Sequence, residues 1–372
     1  MGDYFYQLSL ASILLYFFGV VFFFFGGLVI SLSTPRLIKV PFIRFKRTQR
    51  ELSLSYLKLF VVVSALMVPV YWSYIAGHAG TSSLVGIRYF LVNNPPPQGL
   101  SFYANIPIFA SLCFIGCLLE LENKNFSKSF TVLIGVSSIV MLSMSGSKMG
   151  FVTILMMWMI CSATVSNRVN LRLFLIVFLL IIIGFIGGVW LINLRGAESS
   201  LDLLAMFKII ASYLLGGIIA FDQVLSNADL YSSNQTMIRF FVETYAKLGG
   251  AVDVPSIHAQ YTNINASENT NTYTHFYTYF LDIGVFGSLF TIFALGIFTT
   301  YLWLHVSYER PIIFFMHTGL ILALIFTIYS EKILLGMNQA IKTIIFAFFL
   351  YHIVPFLHMG IRDLLFSRNH KF

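Results

Sequence analysis

Ionisable side chains are sparse in this sequence, and they gather in one stretch. Between positions 194 and 275 stand Arg195, Glu198, Asp202, Lys208, Asp222, Asp229, Arg239, Glu243, Lys247, Asp253, His258, Glu268 and His275. Two kinds of chemistry are open to such a set. The planar fork of an Arg grips an oxyanion at two points, and Lys supplies a compact positive charge. A His, or a carboxylate taken partly out of water, moves protons near neutral pH. His258, His275, Asp222, Asp253, Glu243 and Glu268 are the candidates for such a base. The run 261–279 is dense in Asn, Thr and Tyr, which hydrogen-bond hydroxyl groups. No His/Cys/Asp cluster has metal-ligand spacing, and there is no glycine-rich phosphate or dinucleotide motif and no Asp-rich Mg2+ motif. Neither a metal nor a cofactor is expected.

The elements that must position these residues follow from composition. The chain has 372 residues, 58% hydrophobic and 10% charged. Soluble domains carry roughly 25% charged residues, so this composition cannot cover a water-facing surface. Apolar runs of about twenty residues recur, which is the signature of a helical bundle and not of a barrel. The fold class is therefore all-α, a polytopic membrane helical bundle. A net charge of +8 is first explained by topology and anionic headgroups, so no nucleic-acid partner is expected. Cys113, Cys117 and Cys161 fall inside apolar runs, where neither a disulfide framework nor a thiolate metal site is indicated. The first run is too long, and lacks the basic flank, for a cleaved signal peptide.

Nine spans are expected, at about 8–32, 54–75, 104–121, 130–144, 149–165, 173–193, 276–306, 312–329 and 341–357. The loop after the first carries Arg36, Lys39, Arg44, Lys46, Arg47 and Arg50, which places it in the cytoplasm and the amino terminus outside. Arg362, Arg368 and Lys371 then lie on a cytoplasmic tail. Residues 1–193 hold six transmembrane helices, 194–275 form a long external loop with interfacial helices, and 276–372 hold three helices and the tail. Within the loop, 203–225 is apolar enough to suggest a tenth crossing. Lys208 and the Gly216-Gly217 pair interrupt it, and a crossing there would put the basic tail outside. Two short helices lying in the outer interface are expected instead.

Four features of the chain resemble the Wzy-type polymerases of oligosaccharide repeat units. Ser145-Gly146-Ser147-Lys148, at the tip of a helical hairpin, is similar to the family's Ser-Arg-Gly turn, with Lys148 where Arg is commoner. Tyr213-Leu214-Leu215-Gly216-Gly217 running to Ala220-Phe221-Asp222 resembles its interfacial helix. Asn271-Thr272-Tyr273-Thr274, leading to Tyr279, Asp282, Ile283 and Gly284, resembles the pattern where its long loop re-enters the membrane, although His275 and Phe276 stand where an aromatic or Arg often sits. The layout, many spans with one long external loop in the second half, is the fourth.

The resemblance implies a metal-independent glycosyltransferase at the outer face of a bacterial inner membrane, making O-antigen or capsule polysaccharide. Donor and acceptor would both be oligosaccharides on undecaprenyl diphosphate. The growing chain passes from its lipid diphosphate to a sugar hydroxyl of a fresh lipid-linked unit. Membrane lipids surround the enzyme, and a chain-length regulator and a flippase of the same pathway are the implied partners.

Under that resemblance Arg195, Arg239 and His275 are the catalytic candidates. Lys148, Lys247, Asn271, Tyr273, Tyr279 and Asp222 are the diphosphate and sugar contacts. Each has a plainer reading that the sequence leaves open. Arg195 and Lys148 could be interface anchors, and Arg239 to Lys247 could be a charged helix whose i, i+4 pairing explains its charges. His275 and the tyrosines could be ordinary interfacial residues. Asp282, inside the seventh span, fits a structural or cavity-lining role. The stretch as a whole is expected to form a lid over a groove in the outer leaflet. An O-antigen ligase uses the same donor and a similar layout. A lipid-linked oligosaccharide flippase or other transporter is the rival from another class.

Overall fold

The computed structural model describes residues 8–37, 47–83, 86–87, 90, 100–122, 126–144, 148–166, 170–193, 203–228, 231, 238–252, 262–263, 269–270, 274–307, 309–327, 333 and 337–358. These residues are almost entirely helical. In chain order the helices are α1 (Leu10–Leu37), α2 (Arg47–Ala79), α3 (Leu100–Glu122), α4 (Lys128–Met144), α5 (Lys148–Ser166), α6 (Leu171–Asn193), α7 (Leu203–Ser226) and α8 (Arg239–Lys247). After them come α9 (His275–His305), α10 (Pro311–Phe326) and α11 (Met337–Phe348), which continues into a π-helical turn, Phe349–Ile353. A two-residue antiparallel pair joins β1 (Thr262–Asn263) to β2 (Asn269–Thr270).

Each of the nine apolar stretches is helical. Among the described residues four helices are long and apolar enough to cross a membrane: Leu10–Ser33, Arg50–Ala79, His275–His305 and Met337–His358. The chain is a helical membrane protein, with these four helices as candidate crossings among the described residues.

One local expectation is corrected. The Gly216-Gly217 pair does not divide the segment that contains it, because α7 runs unbroken through both glycines. A helical Gly costs only about 1 kcal/mol relative to Ala. Beyond the glycines, Ala220, Phe221 and Val224 are fully buried in a cluster with Leu15, Phe276, Tyr277 and Ile292, and that burial outweighs the penalty.

The chain forms two compact units. The first comprises Met1–Pro41, Ser200–His305 and Gly319–Ile341. Here α1 and α9 pack side by side through glycines that let the two backbones approach. A Cβ on Gly26 would meet the carbonyl oxygen of Phe293 at 2.2 Å, and one on Gly296 would meet that of Phe23 at 2.0 Å. Gly19 faces Phe276 and Gly27 faces Thr300, so contact positions rise together along both helices, and the two run parallel. Gly284 (φ 71, ψ −175) kinks α9, in a backbone region open essentially to Gly alone. Ahead of the kink, four successive residues, Phe276 to Tyr279, are buried, so that short segment is enclosed on all sides.

The second unit comprises Phe42–Ser199, Val306–Thr318 and Lys342–Phe372. Its helices are ordered around α3. Arg50 meets Glu120 and Tyr74 stacks on Tyr103, so α2 runs antiparallel to α3. Lys342 donates to Asn105 at 2.6 Å, Phe346 packs on Phe109, and Tyr351 donates to Glu120 at 3.2 Å, so α11 runs parallel to α3. The π turn belongs to the last of these contacts, since it carries the Tyr351 side chain that reaches Glu120.

Candidate functional site

In the first unit the structure joins the chemistry-bearing stretch, at Asp222 and at its far end, to the beginning of α1. Ser9 stands just before α1 and accepts the backbone N–H of Ser12 on its hydroxyl oxygen at 3.2 Å, the usual N-cap bond to the third helical residue. Asp222, on the last turns of α7, accepts the backbone N–H of Ser9 at 3.2 Å, the Ser9 hydroxyl, and the Ser12 hydroxyl at 2.5 Å. A carboxylate in that position completes the cap and lies at the positive end of the helix dipole. At the other end of the stretch, the hydroxyls of Tyr16 and Thr274 share a hydrogen bond of 2.5 Å. Phe221 and Phe276, the neighbours of Asp222 and His275, have ring centroids 5.9 Å apart. Asp222 and His275 are thereby brought into one neighbourhood.

His275 is the first residue of α9. Its backbone N–H donates to the carbonyl oxygen of Thr327 at 3.1 Å, and its Nδ1 lies 3.4 Å from the same oxygen. A carbonyl has no proton to give, so Nδ1 must carry the hydrogen. In the neutral ring the lone pair is then on Nε2. The ring rests against Phe276 and Tyr279. This arrangement fixes the tautomer and orientation that a general base needs.

Arg239, at the start of α8, is a second built feature. Its side chain is buried, and its Nε donates to Glu243 Oε1 at 2.7 Å one turn along. The i, i+4 pair read from the sequence does form. It leaves the Nη1 nitrogen of Arg239 buried without a hydrogen-bond partner among the described residues. Buried guanidinium nitrogens are normally satisfied, so Nη1 keeps an unused donor for an oxyanion. Among the described residues no hydrogen bond or ion pair ties Arg239 to His275.

The remaining candidates are placed as follows. Tyr279 is fully buried inside the first unit, which makes it part of the packing around His275. Asp222 has its carboxylate engaged by Ser9 and Ser12, which makes it a tether. Lys148 begins α5 and Lys247 ends α8; their side chains lie outside the described residues. Arg195, Asn271 and Tyr273 also lie outside them.

Two contributors were not singled out from the sequence. The first is Ser9 with Ser12, whose spacing is a helix-start signal that could have been read. The second is Glu120, a fully buried acid in α3 that accepts from Arg50 Nε at 3.0 Å and from Tyr351. An acid within an apolar run was its signal. The Thr327 carbonyl had none, because a backbone acceptor is invisible to residue type.

No family model, curated protein or solved structure matches the chain in comparisons with known proteins.

Proposed function

We propose that the chain polymerises lipid-linked oligosaccharide repeat units, O-antigen or capsule, at the outer face of a bacterial inner membrane. The observation that carries this is Arg239, a buried cation held by Glu243 on one nitrogen and still open on another. That is the equipment for a diphosphate leaving group, whose growing negative charge is best met by donors fixed beforehand and shielded from water.

In the reaction, an acceptor sugar hydroxyl attacks the anomeric carbon of the donor chain. The new glycosidic C–O bond forms as the bond to the lipid diphosphate breaks. The hydroxyl proton goes to Nε2 of His275, and the bonding pair leaves with the lipid diphosphate, which Arg239 receives. Asp222 does not take part in this transfer; it holds α7 to the start of α1, beside the histidine. The parallel course of α1 and α9 supports the same layout, since both would enter from outside, with the stretch between α6 and α9 on that side.

A second reading, transport of the same lipid-linked substrate, draws on the Glu120–Arg50–Tyr351 cluster. Buried intramembrane charges mark transport pathways more often than they mark surface chemistry.

Deleting the gene and running the surface polysaccharide on a gel separates these. A polymerase mutant displays a single repeat unit on core, a flippase mutant displays none, and a ligase mutant accumulates lipid-linked polymer. Unchanged long chains would sink the proposal.

A further inference from the structure

The outward side of α8 carries a feature that the proposed reaction does not use. Ile238, Phe241, Tyr245 and Leu248 recur at steps of three and four, the repeat that aligns one face of a helix. All are exposed, Phe241 at 64% and Leu248 at 81%. Arg239, on the other side of the same helix, is exposed at only 5%. The helix is thus apolar towards its surroundings and cationic towards the protein, the reverse of a water-facing surface helix.

The end of the helix is built to keep this face continuous. Gly249 adopts φ 94, its N–H donates to Ala246 O at 3.1 Å, and the N–H of Gly250 donates to Tyr245 O at 3.0 Å. This pair of bonds is the Schellman closure. Gly250 lies directly on the Tyr245 ring, and the chain then turns, the N–H of Val252 donating to Gly250 O at 3.0 Å.

What covers the stripe is decided by where α8 is tethered. On one side the chain comes from α7, whose Asp222 is bonded to Ser9 at the start of α1. On the other side it goes to Thr274, bonded to Tyr16 on the second turn of α1. Both tethers are at one end of a membrane-crossing helix, so the segment that carries α8 leaves the protein and rejoins it at the bilayer face there. The residue types suit that surface. Phe and Leu enter the boundary between headgroups and acyl chains, and Tyr keeps its hydroxyl among the headgroups.

The geometry points to α8 as a membrane-docking helix, which lays Ile238, Phe241, Tyr245 and Leu248 into the lipid surface at the end where α1 begins. Docked this way, it holds the buried Arg239 against the protein at the depth of phospholipid phosphates. The docking does not rest on the polymerase reading and is measured without turnover.

The test uses the full chain reconstituted in vesicles of phosphatidylethanolamine and phosphatidylglycerol. A nitroxide is attached in turn to Phe241→Cys, Tyr245→Cys, Leu248→Cys and Lys247→Cys. The native Cys113, Cys117 and Cys161 are buried, and labelling of the unsubstituted chain gives the background. Relaxation by oxygen, which concentrates in lipid, is compared with relaxation by a water-soluble nickel chelate.

The expected result is preferential relaxation by oxygen at the three stripe positions and by nickel at position 247. Nickel preference at the stripe positions would show the face in water and overturn the proposal. Exclusion of both reagents there would show a protein, a second copy or another chain, covering the stripe, and would overturn it equally. Lipid docking together with full polymer formation by Arg239→Ala would leave the docking standing and remove Arg239 from the reaction.

Discussion

Asp222 accepts the backbone N–H of Ser9, a residue 213 positions earlier, and so completes the cap of α1 from the end of α7. The cap box that most helices make from their own first turn is here supplied by a distant helix. Asp222→Ala should therefore loosen two helices together. The loss expected is about 2–3 kcal/mol, because a charge-assisted acceptor is removed and the Ser9 and Ser12 donors lose their partner. Ser9→Ala should cost about 1 kcal/mol as a lost cap. Thermal unfolding in detergent measures both, and a double-mutant cycle should show coupling. Strict additivity would mean the contact contributes nothing.

For Arg239, the fork geometry and the charge can be separated. Arg239→Ala should abolish long chains, and Arg239→Lys, which keeps only the charge, should leave about a tenth to a hundredth of wild-type polymerisation, the span of one or two charged hydrogen bonds. Glu243→Gln should be milder than either, since the guanidinium remains. Gel profiles at matched protein levels give the ranking, and a wild-type ladder from Arg239→Ala would exclude this residue from the site.

The tautomer of His275 gives a different discrimination. His275→Phe preserves a ring between Phe276 and Tyr279 and removes the Nε2 lone pair. Polymer formation should fall by about 10²–10⁴-fold, the usual worth of a positioned general base, while the protein accumulates normally. Normal chain length in this variant would assign the proton transfer to another group.

Glycines at the α1–α9 contact should behave unlike glycines in open helix. Gly296→Ala pushes a methyl against the Phe23 carbonyl, and Gly26→Ala pushes one against that of Phe293. Each should destabilise by about 1–3 kcal/mol, since backbone rather than a flexible side chain must yield. Gly319→Ala meets nothing within 4 Å and should instead gain about 0.5–1 kcal/mol from the helix preference for Ala. Apparent melting temperatures of the three variants in one detergent should move in these opposite directions.

Breaking the Glu120–Arg50 pair from one side should be worse than removing it. Glu120→Ala or Arg50→Ala leaves a partly or fully buried charge and should cost about 3–5 kcal/mol. The combined Glu120→Leu and Arg50→Met variant should recover most of that stability. If the double variant also assembles polymer, the cluster is structural; loss of polysaccharide export in a stable double variant would favour the transport reading.

Much of the architecture was legible because it depends on local quantities. Hydropathy over a window of about twenty residues locates a helix in lipid whatever it packs against, and all nine apolar stretches are helices at those places. The short helix beginning at Arg239 and its ion pair with Glu243 were also readable, since i, i+4 neighbours meet in any helix. The unbroken course of α7 was not, because Gly216-Gly217 is a local signal for a break and the burial of Phe221 and Val224 that overrides it is tertiary.

The sequence by itself therefore determined a helical membrane protein with its ionisable groups concentrated in one stretch. Only the tertiary structure decided how those groups are placed. Asp222, a candidate ligand contact by sequence, is held by Ser9 and Ser12 from across the fold. Arg239 was one cation among several until packing buried it and turned the apolar side of its helix outward. His275 gained a fixed tautomer from a backbone carbonyl at Thr327, and no residue type announces a carbonyl. Periodicity and hydropathy report on a chain's immediate neighbours, whereas burial and hydrogen-bond partners depend on residues hundreds of positions away.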